Sequence, residues 1–277
     1  MELALGERTY DITHRALVMG ILNRTPDSFF DKGAYFDFDD FLAKAESLIK
    51  AGADLLDVGG VKAGPGDEVD EQEELDRVIP AIEALADRFG VPVAVDTWRA
   101  GVLREAIAAG AVVGNDISGF ADPEYLPVAA EGGASVVATH IRLRPREPDP
   151  EPVYDDLVCD VAEFLTDRAR RAEAAGIPHE RVIIDAGLDL GKTEPMSLVL
   201  LGASQQLAEL GWPLLLSASN KRFLGELFGR DIDDRADLNI AAHTLGIARG
   251  CRILRAHDVT AAVRVCAFME RVLAAWP

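Results

Sequence analysis

The chain has 277 residues, with 28 Lys and Arg against 47 Asp and Glu, and a formal charge of −19. That balance excludes general nucleic-acid binding, which uses Lys and Arg to neutralise phosphates, and adsorption to an anionic membrane surface. Hydrophobic residues make up 49% of the chain and recur in regular segments, so it is not a disordered acidic solvator.

Residues 3–12, turning at Gly6-Glu7, predict a small hairpin. Eight short apolar runs follow, at 16–22 (ALVMGIL), 55–58, 91–95, 111–113, 135–138, 181–184, 213–216 and 252–254. Each has strand length and is rich in Val, Ile or Leu, as strands buried on both faces are. Helical patterns separate them. Residues 37–51 carry Phe41, Leu42, Ala45, Leu48 and Ile49 as a 3.6-period stripe, closed by Gly52. Residues 70–89 do the same with Leu75, Val78, Ile79, Ile82 and Leu85, closed by Gly90. Further helices are predicted at about 99–109, 124–131, 156–175, 195–210, 234–249 and 259–274. The Ala-Gly pairs at 51–52, 109–110 and 175–176 read as helix C-caps. Residues 142–152, Pro-rich and charged, predict an exposed loop after the fifth strand.

Eight strand–helix units predict an α/β fold, a (β/α)8 TIM barrel forming a single domain over 1–277 with a short N-terminal hairpin. A doubly wound open sheet is the alternative, but no Gly-rich dinucleotide fingerprint follows the first strand. The cysteines, Cys159, Cys251 and Cys266, are odd in number and match no zinc spacing, so they read as incidental thiols. The N-terminus does not resemble a signal peptide, and no apolar run reaches the ~20 residues of a membrane span. These features predict a soluble protein of the cytoplasm.

In such a barrel the chemistry lies at the C-terminal strand ends. In order these carry Asn23, Asp57, Asp96, Asn115 with Asp116, His140, Asp185, then Ser217, Ser219 and Lys221, and finally Arg255 with His257. Each alone has a plain structural reading. Asp96-Thr97 could cap a helix, Asn115-Asp116 could form a turn, and His140 could be a core histidine. Polar groups after all eight strands are harder to explain as caps. Carboxylates, an amide and a lysine around one pocket suit the edge of a flat heterocycle. Arg255 and His257 alternate on one strand and suit a phosphate or diphosphate.

The chain resembles the dihydropteroate synthase family from about residue 16 to 260. The resemblance is carried by MGILNRTPDSF from Met19, by Asp57-Val-Gly-Gly, by Val95-Asp96-Thr97 and by Asn115-Asp116-Ile117. Ile184-Asp185, Ser219-Asn220-Lys221 and Arg255-Ala256-His257-Asp258-Val259 complete it. It implies the same barrel and a transfer reaction. In that reaction 6-hydroxymethyl-7,8-dihydropterin diphosphate loses pyrophosphate, and p-aminobenzoate captures the pterin methylene. It also implies pterin contacts at Asp96, Asn115, Asp185 and Lys221, and pyrophosphate contacts at Asn23, Arg255 and His257. A magnesium ion (Mg2+) is implied on Asn23, and a cation-steadying carboxylate at Asp31. With Asp31, the residues Lys221, Arg255 and His257 make up the implied catalytic set. A homodimer through the last helices is implied too, which the apolar face of 259–274 (Val263, Cys266, Ala267, Val272) permits; packing of that face on the barrel would explain the same residues.

The departures cluster. Typical members read Gly-Gly-Glu-Ser-Thr-Arg-Pro-Gly where this chain has Gly59-Gly60-Val61-Lys62-Ala63-Gly64-Pro65-Gly66. The family's Phe before Gly-Lys is Leu190, its Asp-Pro-Gly is Asp185-Ala186-Gly187, and Arg222 replaces a Ser after Lys221. Arg24 and Thr139 replace apolar residues. The acceptor region (Lys62, Ala63, Gly64, Leu190, Arg222) is thus altered while the pterin residues are kept. This pattern resembles the divergent second paralogue of some actinobacteria, a class associated with loss of ordinary synthase activity. Three functions follow: a synthase with impaired activity, in which Lys62 or Arg222 replaces the loop arginine; an inactive or repurposed pterin-binding paralogue, with another amine as partner; and, less favoured, a methyl-tetrahydrofolate-binding methyltransferase barrel. Seven of the ten residues from Asp67 to Asp76 are acidic, and this run reads as a solvated helix start favoured by the helix dipole.

Overall fold

A computed structural model describes residues 1–25, 38–64 and 66–275. The hairpin pairs β1 (Glu2–Leu5) with β2 (Arg8–Asp11). Eight parallel strands then close a barrel: β3 (Leu17–Asn23), β4 (Leu55–Gly59), β5 (Val93–Asp96), β6 (Val113–Asp116), β7 (Ser135–Thr139), β8 (Val182–Asp185), β9 (Leu214–Leu216) and β10 (Cys251–Ala256). Around it lie α1 (Phe38–Lys50), α2 (Glu71–Arg88), α3 (Ala100–Ala108), α4 (Tyr125–Glu131) and α5 (Leu157–Ala174), then α6 (Glu194–Gly202), α7 (Ser204–Ala208), α8 (Arg222–Gly225), α9 (Ala236–Ala248) and α10 (Val259–Ala275). The predicted α/β barrel and hairpin are therefore both present.

Three details differ from the sequence reading. The fourth barrel strand runs to Asp116, because Asn115 and Asp116 pair with β7 although they are polar. The helix expected over 195–210 is broken at Ala203, where the Ser204 hydroxyl donates back to the Leu201 carbonyl at 2.8 Å. The short helix α8 carried no apolar stripe and was not anticipated.

Strand alternation sorts the side chains into two cores. Leu17, Met19, Leu55, Ala94, Val113, Val137, Ile183, Leu215 and Ile253 fill the bore. Leu3, Leu5 and Ile12 of the hairpin pack against them and close its lower end, and the Ser135 hydroxyl donates to the Ala4 carbonyl at 2.6 Å. The intervening residues, such as Val18, Val58, Val95, Ala138 and Ile184, pack under the helices. Two residues further along the bore face, the same register reaches Asp57, Asp96, Asn115, Thr139, Asp185, Ser217 and Arg255, and on β3 it reaches Asn23 four residues beyond Met19. The site is thus the upper layer of the bore.

Alternation places Asp116 and His140 on the helix side instead. Asp116 accepts from the Ser118 and Phe120 backbone N–H groups at 2.5 and 2.9 Å, and so holds the turn after β6. His140 stands edge-on to the Phe164 ring, centroids 4.7 Å apart, and its plain reading as a core histidine holds. Of the face expected on the last helix, Val263, Cys266 and Val272 pack on the strand–helix core and Ala267 is exposed, as is the neighbouring Phe268 at 66%. No helix among the described residues is long and apolar enough to cross a membrane.

Candidate functional site

A cavity of about 450 Å3 opens over the bore. Its floor is formed by Asp96, Asn115, Thr139, Asp185, Lys221 and Arg255. Arg255 crosses this floor. Its Nε donates to Asp57 at 2.6 Å and a terminal nitrogen to Asp96 at 2.8 Å. Asn115 Nδ2 donates to the same Asp57 oxygen at 3.2 Å. Gly59 lies between Asn23 and Asp96: a Cβ built on it would stand 3.6 Å from Asn23 Oδ1 and from Asp96 Oδ2. Burial pushes the Asp96 carboxyl up to about 7, against the pull of Arg255.

Asp185 and Lys221 form the opposite side. Burial raises the Asp185 carboxyl and lowers the Lys221 ammonium, and each partly restores the other's charge. Asp185 Oδ1 accepts from the Gly187 backbone N–H at 2.8 Å. Gly187 has φ +64°, and a Cβ there would lie 1.9 Å from the His140 carbonyl oxygen, so only glycine fits this turn. The turn is stapled from below by buried Lys192, whose Nζ lies 2.9 Å from the Gly187 and Leu190 carbonyls and 2.8 Å from His140 Nδ1. Lys221 donates to the Leu188 carbonyl.

His257 follows the end of β10. Its backbone N–H and ring Nδ1 both meet the Ser219 hydroxyl, at 3.2 and 3.1 Å. Burial and the charge of Arg255 hold its imidazole neutral, at about 3. Before an anion binds, the Arg255/His257 pair is therefore one cation and one neutral ring. Of the altered residues, Ala63, Gly64, Leu190 and Arg222 all line the cavity, and Lys62 does not. Arg222 bonds Glu226 at 2.6 and 3.1 Å and lies 3.6 Å from Glu194. Asp31 lies outside the described residues.

The acidic run is not simply solvated. Asp70 caps α2 by accepting from the Glu73 backbone N–H at 2.8 Å. Glu74, however, is fully buried and paired with Arg99, which also donates to the Val69 carbonyl at 2.6 Å. Arg77 donates to the Gly60 carbonyl at 2.7 Å. Arg77 and Arg99, the latter held by Glu74 of the run, thus tie both ends of the loop that carries Ala63 and Gly64.

Among the described residues no group of three or more His, Cys, Asp or Glu is placed to hold a metal ion. Asn23 offers one amide oxygen. Such a donor set fits magnesium that draws its other ligands from water and phosphate oxygens, and does not fit a metal caged by protein.

The sequence pattern described as pterin binding enzyme matches residues 19–257. The chain belongs to this family, among the dihydropteroate synthases. It is 43% identical over 257 residues to the inactive dihydropteroate synthase 2 of Mycobacterium leprae, covering 91% of this chain and 88% of that one. It is 40% identical over 261 residues to the dihydropteroate synthase of Bacillus subtilis, covering 94% and 89%. The dihydropteroate synthase of Xanthomonas albilineans, solved with 4-aminobenzoic acid, superposes with TM-score 0.90 at 40% identity, covering 100% and 99%. The same enzyme solved with 7,8-dihydropteroate gives 0.87 at 39%, covering 100% of each chain.

Three residues in or beneath the cavity have roles that the sequence did not indicate. Asp57 was visible as a strand-end carboxylate, but its place beneath Arg255 was not. Its signal is a lone charge inside the buried strand β4. Arg235 has no local signal. It donates to the Asn220 and Lys221 carbonyls at 3.0 and 2.9 Å and so fixes the loop bearing Lys221 from 14 residues away. The buried Thr139 hydroxyl has no partner among the described residues and lines the cavity.

Proposed function

We propose that the chain binds a dihydropterin diphosphate and transfers its methylene to an arylamine, with turnover on p-aminobenzoate below that of typical members. The observation that carries this reading is the complete set Asp96, Asn115, Asp185 and Lys221 around one cavity, with Arg255 across its floor. In the reaction the amine nitrogen bonds to the methylene carbon. The carbon–oxygen bond breaks with its electron pair leaving on the diphosphate, and the amine gives up one proton. Asp96, Asp185 and Asn115 accept from the ring N–H and amino groups, and Lys221 donates to a ring acceptor. Arg255 and His257 hold the leaving diphosphate from the bore side, and Asp31 steadies the developing cation. Asn23 would hold magnesium, which when bound neutralises charge on the leaving group. We place the protein in the cytoplasm, as a homodimer that covers exposed Ile240 and Leu245 of α9 and Phe268 of α10.

A second reading has its own support. The Mycobacterium leprae relative carries the name inactive, and Ala63 and Gly64 stand where the family has a Thr and an Arg, the Arg ordering the loop over the leaving diphosphate and the acceptor. Pyrophosphate release from the pterin diphosphate with magnesium and p-aminobenzoate decides between the two. Slow release is expected, rising about 10²-fold in the double variant Ala63→Thr/Gly64→Arg, the scale of one restored transition-state donor. Tight pterin binding with no release in either protein would leave the inactive reading standing.

The carboxylates also set a pH dependence. A pterin that donates to Asp96 needs the ionised form, so binding below about pH 7 must release a proton. The dissociation constant measured by calorimetry should be flat above pH 8 and rise roughly tenfold per pH unit below 7. A constant that does not change between pH 5 and 8 would remove Asp96 from the contact set.

A further inference from the structure

The rim loops enclose a second cavity of about 270 Å3 beside the first. Both cavities touch Ala63, Gly64, Asp189, Leu190 and Arg222. The far wall of the second is the Pro-rich segment 141–150, which is well tied. Arg142 forms a two-pronged bond to Asp149, 2.5 Å on each arm, and Arg146 donates to the Asp67 carbonyl. The Tyr154 hydroxyl donates to the Gly191 carbonyl at 2.7 Å.

The shared wall is low at Gly64. Among the described residues, a Cβ built there meets nothing nearer than Lys62 Cε at 3.8 Å. A long side chain at this position would run through the space between the cavities, and glycine leaves that space open. Leu190, in place of an aromatic ring, leaves further room on the other side of the passage.

The annex is charged with both signs. It is lined by Arg146 and Arg222 and by Glu147 and Asp149, of which Arg222 is paired with Glu226 and Asp149 with Arg142. Arg146 makes its bond to a neutral carbonyl, so its charge has no carboxylate in that contact. Lys192 also lines the annex, but its three N–H groups are taken by Gly187, Leu190 and His140, so it supplies field and not a nucleophile. An apolar occupant would desolvate these groups without compensation. An amide N–H can donate to one of the carboxylates, and a carboxylate beyond it can accept from Arg146.

The geometry points to an acceptor larger than p-aminobenzoate: an N-(4-aminobenzoyl) amino acid, whose ring sits at Leu190 and whose tail passes Gly64 into the annex. This rests on the arylamine-transfer reading above. The bonds made and broken are those already given, and the tail does not react. The supplying reaction must then be an amide ligation of p-aminobenzoate to an amino acid, placed before the condensation.

The test compares pyrophosphate release with p-aminobenzoate and with 4-aminohippurate. The wild-type kcat/KM is expected to favour 4-aminohippurate by about tenfold, the scale of one charge-assisted contact. Gly64→Arg, which fills the passage, should invert that preference. Should this variant be unstable, Arg146→Ala is expected to raise the KM for 4-aminohippurate about tenfold. Equal or better use of p-aminobenzoate by the wild type overturns the extended acceptor alone. An unchanged ratio in Gly64→Arg, or an unchanged KM in Arg146→Ala, also overturns it. Release with neither amine, despite pterin binding, overturns the transfer reading itself.

Discussion

Replacing Asp185 with alanine should raise the dissociation constant for the pterin by roughly 10²–10³, since two contacts to charged groups are worth about 3–4 kcal/mol together. Asp185 is buried at the bore end of β8. Its carboxylate is a pterin acceptor in the proposed site, and it is also the first charge that keeps Lys221 protonated against burial. Its loss therefore removes one contact and disables a second. Asp185→Asn separates these effects. It keeps the shape and one acceptor oxygen but not the charge, so it should recover only a small part of the affinity. Calorimetry with 6-hydroxymethylpterin reads both variants, and a thermal melt confirms that each is folded. An Asp185→Ala protein that binds within threefold of wild type would show that the floor has been misassigned.

The second large effect is on stability. Arg255→Met should cost about 3–5 kcal/mol, the scale of breaking a buried pair by deleting one partner. Asp57 is fully buried, and its Oδ2 takes bonds from both Arg255 and Asn115. Without the guanidinium, Asp57 would keep only the Asn115 amide as donor and lose its charged partner, and Asp96 would lose the cation that opposes its burial. The double variant Asp57→Asn/Arg255→Met should regain more than half of the loss, because the unpaired charge is gone. Denaturant unfolding measures both. Additive losses in the double variant would mean that the guanidinium matters through packing and not through Asp57.

What could be read from sequence follows strand alternation. The apolar runs located the barrel, and the polar residue ending each run located the site. The runs alone did not say which polar residues face inward. Asp116 and His140 end their strands as visibly as Asn115 and Asp185, yet they face the helices, because they share register with Gly114 and Ala138. The Glu74–Arg99 pair and the Arg235 clamp were out of reach, since each joins residues from separate segments of the chain. The motif departures at Ala63, Gly64, Leu190 and Arg222 were legible singly, and the cavity beyond them was not, because its far wall comes from the segment after β7.

The division between bore and rim has an evolutionary consequence. In the proposed site the pterin-facing Asp96, Asn115 and Asp185 stand on strands whose register cannot slip without turning every bore residue outward. Acceptor-facing groups stand on the loops after β4, β7, β8 and β9, where substitutions leave the barrel's pairing untouched. Selection can therefore exchange the second substrate while the first is kept, and grafted rim loops should transfer acceptor preference between relatives that share this scaffold.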